Sequence, residues 1–88
     1  MRVVWYWWGF RVFADDQTVQ QLIRAVEQGE PAVRELLNRL GYGWLGELVR
    51  ILIMWGVQVL RAMYAQCGGR GLQMTVPWSL WGSYISCG

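Results

Sequence analysis

Between residues 44 and 66 the chain carries three charged side chains, and they fall in one narrow row at helical spacing. Glu47, Arg50 and Arg61 are joined there by Gln58 and Ala65, with Met54 filling the gap. Almost everything else in the stretch is Leu, Ile, Val, Trp, Met, Gly or Tyr. A helix that is apolar on about three sides must be covered by the rest of its chain, by another molecule or by lipid. Its longest uncharged run, residues 51–60, is about half of the roughly 20 residues that span a bilayer, so a central core helix with a wetted polar stripe is expected. An amphipathic helix lying in a membrane interface or in a partner's groove is the alternative. Gly56 costs about 1 kcal/mol relative to Ala inside such a helix, and it either permits close packing or ends the helix early.

Eighty-eight residues hold one domain with a single modest core, expected to cover 1–88. Residues 2–14, rich in Val, Trp, Tyr and Phe, predict a strand. Read as one strand, it puts Val3, Trp5, Trp7 and Phe13 on one face and Val4, Tyr6, Trp8, Phe10 and Val12 on the other, so both faces are apolar. Gly9 marks a bulge or a close backbone approach. Asp15, Asp16 and Thr18 are N-cap candidates, with Gln21 placed to complete a capping box with Thr18. A first helix follows with the stripe Val19, Leu22, Ile23 and Val26, ended by a left-handed cap at Gly29. Pro31 opens a second helix with the stripe Val33, Leu36, Leu37 and Leu40, which ends at Gly41. After the glycine-rich turn CGGRG, Leu72, Met74, Val76 and Trp78 alternate with Gln73, Thr75 and Pro77, the period of a strand that Pro77 ends or confines to an edge. The expected fold class is α+β: an N-terminal aromatic strand, three helices with the apolar third at the centre, and a C-terminal strand that pairs back with the first.

The eight basic residues are all Arg, and there is neither Lys nor His. No His-based triad, His metal site, Lys Schiff base or phosphate-loop lysine can be assembled from such a chain. Ser79, Ser83 and Ser86 have no base to activate them, and the acids sit at helix caps and surfaces, so no catalytic residue, metal ligand or cofactor is assigned. Cys67 and Cys87 lack the close pairing of a zinc ribbon or a redox motif. They are either a disulfide, suited to a secreted protein, or two free apolar thiols in a reducing cytosol. The opening MRVVWYWWGF has no small-residue cleavage site after it, which favours free thiols and a cytoplasmic location.

Trp and Tyr combine a large apolar body with a polar handle and are favoured at binding hot spots and at membrane–water interfaces. Trp5, Trp7 and Trp8 with Tyr6 at one terminus and Trp78, Trp81 and Tyr84 at the other are therefore candidate contact residues, with Trp55 from the apolar helix. Every acid lies between Asp15 and Glu47, whereas Arg50, Arg61 and Arg70 follow with no acid after them. The C-terminal half is thus apolar and cationic together, as expected of a segment drawn to anionic lipid or an acidic partner. The leading expectation is a small non-catalytic accessory or inhibitor-type protein that contacts a protein partner. The alternative is a membrane-interface protein of the bacteriocin or toxin kind, and a homo-oligomer is compatible with both.

The stretch AVEQGEPAVRELLNRLGYG resembles the helix–turn–helix portion of small prokaryotic winged-helix regulators, with VRELLNRLG in the place of their first motif helix. The resemblance covers about a quarter of the chain. It implies DNA binding by the following helix, with a wing formed from Val57 through the GGRG turn to Trp78 if the third helix stops at Gly56. That helix, WLGELVRILIMW, offers one Arg and one Glu where a groove reader presents several basic and amide side chains. The net charge of +2 attracts phosphate weakly, so nucleic acid is the weakest of the three partner classes.

Overall fold

In the computed structural model, which describes residues 1–88, the aromatic N-terminal segment folds as a hairpin and not as one long strand. Its strands are β1 (Arg2–Tyr6) and β2 (Gly9–Ala14), joined by Trp7 and Trp8. The turn reassigns the faces. Val3 pairs with Val12 and Trp5 with Phe10, so these four share one side, while Phe13 moves to the side of Val4 and Tyr6. Strand periodicity alone does not show this, because a two-residue turn inverts the parity of everything after it.

Three helices follow: α1 (Asp16–Gln28), α2 (Glu30–Leu40) and α3 (Gly46–Gln66). Asp15 is the N-cap of α1, accepting a 2.8 Å hydrogen bond from the Thr18 backbone N–H. Hydrogen bonding from Thr18, through its side chain and its backbone N–H, holds the Asp15 carboxyl below the ordinary carboxylate range. Thr18 itself is buried inside the helix and does not cap it. Gly29 ends α1 at φ 112° and ψ −180°, positive in φ but extended in ψ, and at once serves as the N-cap of α2. The left-handed cap expected at Gly29 is found instead at Gly41, which ends α2.

The sheet is completed by β3 (Leu72–Pro77) and β4 (Tyr84–Cys87), giving the antiparallel order β1-β2-β3-β4. The expected strand after the CGGRG turn, β3, does pair back with the N-terminal segment, along that segment's second half: Gly9 faces Pro77 and Ala14 faces Leu72. At Gly9 a Cβ would lie 2.2 Å from the Val76 carbonyl oxygen, so the close approach of β2 to β3 at this end of the sheet requires glycine. One sheet face carries Phe10, Val12, Ala14, Leu72, Met74 and Val76, all buried under the helices. α3 packs on α1, α2, β3 and β4, the central position expected of it.

α3 departs from a wrapped core helix in two ways. Its backbone breaks at Gly56 (φ 78°, ψ 175°), so residues 46–55 and 57–66 form two helical halves. The question of whether the helix stops or continues is answered by an interruption and a restart. Residues 57–66 being helical, the wing implied by the winged-helix resemblance is not built from them. Only 28% of the most apolar 18-residue window is buried, with Leu48, Val49, Ile51, Leu52 and Leu60 inside and Ile53, Met54 and Val59 exposed.

Cys67, at the C-cap of α3, is bridged to Cys87 at the end of β4, with Cα atoms 5.3 Å apart. This corrects the free-thiol expectation. The sheet turns the C-terminal strand back under the helix end, an adjacency that a spacing of 20 residues does not reveal.

Candidate aromatic interface

The register places both hairpin connections of the sheet at one end. Tyr6 pairs with Gly9 and Gly9 with Pro77, so the Trp7–Trp8 turn and the loop of residues 78–83 leave the sheet side by side. Trp78 ties them together: its backbone N–H donates to the Trp8 carbonyl at 3.0 Å and its indole N–H to the Trp7 carbonyl at 3.1 Å. These bonds hold open a turn whose residues are not in the left-handed conformations of the tightest hairpins.

On the helix side of this end, Trp5 stacks on Trp44 (centroids 5.3 Å apart, planes at 23°) and on Trp78 (6.0 Å, 13°). Buried Phe10 lies tilted beneath Trp5 and Trp78. Such pairs contribute about 0.5–1.5 kcal/mol each beyond the area they bury, which orders rings that remain half-exposed or more. At the tips Trp7 is 91% and Trp81 85% exposed, so neither is a core residue. Leu80 holds the 78–83 loop in shape with a left-handed backbone, φ 66°. Met54, Ser79, Leu80 and Trp81 line an uncharged groove of about 300 Å³ where α3 passes under that loop.

On the opposite, open face of the sheet Trp8 stacks on Tyr6 at 4.9 Å and 9°. Arg11 lies against both, its guanidinium carbon 5.4 Å from the Tyr6 centroid and 5.8 Å from that of Trp8. Its Nε–H donates to Thr75 Oγ1 at 3.1 Å.

The fold thus gathers Trp5, Trp7, Trp8, Trp78 and Trp81. Tyr84 stands lower on the sheet, exposed and opposite Thr75. Trp55 is half-buried against the core of α3 and joins none of the ring stacks. The three arginines have separate surroundings. Arg50 is exposed one helical turn before Met54, Arg61 is ion-paired with Glu27 of α1, and Arg70 lies at the other end of the sheet, its Nε–H donating to the Cys67 carbonyl at 3.0 Å. The pairing of apolar surface with cations read from residue order is therefore dispersed by the fold.

Three contributors were not singled out from the sequence: Trp44, Arg11 and Met54. Trp44 had a signal, a large ring beside Tyr42 among the glycines of GYGWLG. Arg11 had one too, as the single charge inside the run from Val3 to Ala14. Neither strand of the hairpin, nor β3, nor β4, nor either loop at this end holds an acid, and Glu47 in the first turn of α3 is the acid closest in sequence to the cluster. Compared with protein-family models, with curated proteins and with solved structures, the chain matches none.

Proposed function

We propose that this chain is a non-catalytic protein that settles on a lipid surface by its aromatic end. The observation that carries the reading is the position of Trp7 and Trp81, almost fully exposed at the tips of neighbouring loops that contain no charge. An indole ring there has no partner within the fold, and the membrane–water interface is the environment that takes both its apolar body and its N–H. The stack of Trp5, Trp44 and Trp78 behind the tips continues the apolar surface on the helix side, and Arg11 stands beside Tyr6 and Trp8 on the open face. The broken α3 fits a peripheral mode. Each half, about ten residues and roughly 15 Å long, reaches only half of a bilayer core of about 30 Å.

Co-flotation with neutral and anionic vesicles, read together with tryptophan emission, tests this. The protein is expected to float with a blue shift, and replacement of Trp7 and Trp81 by Ala lowers the partition about tenfold per ring. An absence of flotation with emission already blue in buffer overturns the lipid reading. A protein partner is the second reading, favoured by the uncharged groove at Met54, Leu80 and Trp81, which has the size to take an apolar side chain.

A further inference from the structure

Arg11 stands apart from the other arginines in how it is held. It is half-buried, no carboxylate pairs with it, and its Nε–H is spent on the hydroxyl of buried Thr75. The stacked rings of Tyr6 and Trp8 fix the plane of the guanidinium from the side of the loop tips. The terminal nitrogens, with four N–H donors, have no acceptor in the protein. Arg34 and Arg61, by contrast, are occupied by Glu30 and Glu27. A planar fork of donors, already oriented and uncompensated by a negative charge, is the receptor geometry for a phosphate oxygen pair.

We propose that Arg11 is a phosphate-binding site, made by Thr75, Tyr6 and Trp8, which takes the phosphodiester of a lipid headgroup when the aromatic end meets a membrane. The proposal rests on the lipid reading above and adds its recognition element. Depth supports it. Arg11 lies two residues down β2 from the end of the strand at Gly9, roughly 7 Å at strand rise. The headgroup layer of one leaflet is about 5–8 Å thick. With the Trp7 and Trp81 rings at the hydrocarbon boundary, the guanidinium stands at the level of the phosphates. The rung on which it sits continues through Thr75 to exposed Tyr84, which places a hydroxyl-bearing side chain on the same level.

The test is the partition of the full chain onto phosphatidylcholine vesicles and onto vesicles that also contain phosphatidylglycerol, at roughly 0.1 and 0.5 M salt. Arg11→Gln is expected to lower the partition about five-fold on both compositions, the effect of one cationic side chain at a lipid surface. The loss persists at the higher salt because the contact is a short, desolvated one, and Arg11→Lys does not recover it, since an ammonium lacks the fork. Thr75→Val, which keeps the charge and both rings, gives a smaller loss and guards against a misfolded Gln variant. Arg11→Gln binding phosphatidylcholine like the parent, or full recovery by Arg11→Lys, overturns the proposal in favour of diffuse charge attraction. Inorganic phosphate added without vesicles, followed through the Arg11 Nε–H resonance, separates the sources. A shift that saturates at millimolar phosphate, in a chain that does not float, keeps the anion site and removes the lipid reading. Loss of flotation on replacing Trp7 and Trp81, with Arg11→Gln indistinguishable from the parent, keeps the lipid reading and removes the site.

Discussion

Replacing Gly56 by L-Ala probes the break in α3 without any clash at the site itself. The residue sits at φ 78° and ψ 175°, a region that glycine reaches freely and that costs an L-residue about 1–3 kcal/mol. A Cβ built there meets no atom within 4 Å, so no clash contributes. Against this stands the helix propensity of Ala, about 1 kcal/mol better than Gly, which is gained only if the backbone straightens into a continuous helix. Straightening would rotate residues 57–66 relative to 46–55 and pull Leu60 out of the core and Cys67 away from Cys87. The packing of Leu60 alone, at about 2–5 kcal/mol for a buried Leu, outweighs the propensity gain. L-Ala is therefore expected to destabilise. For a chain of this size the urea slope is near 1 kcal/mol per molar, so a loss of about 2 kcal/mol moves the midpoint down by about 2 M. D-Ala, whose preferred region is the mirror image of that of L-Ala, accepts the break and should stabilise by up to about 1 kcal/mol by restricting the unfolded chain. Urea unfolding of synthetic chains followed by far-ultraviolet dichroism reads all three. An L-Ala variant as stable as the parent and more helical would refute the reasoning, because it would show that the core tolerates an unbroken helix of 21 residues.

Two other perturbations act on the ends of elements. Reducing the Cys67–Cys87 bridge, or replacing both residues by Ser, should cost about 3 kcal/mol for a closed loop of 20 residues, and amide exchange should speed up first in β4, an edge strand of four residues; uniform acceleration across the sheet would count against β4 being held by the bridge. The Asp15 cap has a depressed carboxyl pKa, so its stabilisation is present above the ordinary value of 3.8 and is lost as pH falls through the lower folded value; Asp15→Asn should flatten this acid limb of a stability profile, and an unchanged limb would show that the Asp15 carboxyl does not carry it.

The sequence disclosed the parts of this fold that depend on local physics. Helix stripes such as Val19, Leu22 and Ile23 are written in steps of three and four, and the caps at Asp15 and Gly41 are local hydrogen-bonding facts. It hid what depends on where the chain turns. Trp7 and Trp8 are strand formers by composition, and they form a turn because Trp78, 70 residues or more further on, supplies N–H donors to their carbonyls. Once that turn is placed, Phe13 changes face, Arg11 joins Tyr6 and Trp8, and Trp5 joins Phe10. The aromatic end was legible as a list of residues but not as a place, because its assembly needs the register of β2 against β3, a pairing across the whole helical layer. The opposite error arose for Arg50, Arg61 and Arg70, whose proximity in sequence suggested a joint role that α3 and the disulfide-linked end of the sheet keep apart.

Separating what the fold needs from what the surface offers depends on Trp7 and Trp81. A side chain that is 91% or 85% exposed removes little area from water, and surface changes of that kind usually alter stability by no more than about 0.5 kcal/mol. Phe10, fully buried beneath Trp5 and Trp78, should cost about 3–5 kcal/mol when cut to Ala. Trp7→Ser and Trp81→Ser are therefore expected to unfold at the urea midpoint of the parent while losing vesicle binding, whereas Phe10→Ala loses stability first and binding only as a consequence. If Trp7→Ser instead costs more than about 1 kcal/mol, the ring is covered in solution by its own chain or by a second copy, and it no longer marks a free contact surface. Stability within the surface range, together with lost binding, leaves the two rings with a role outside the fold, because nothing in the packing of this chain requires them.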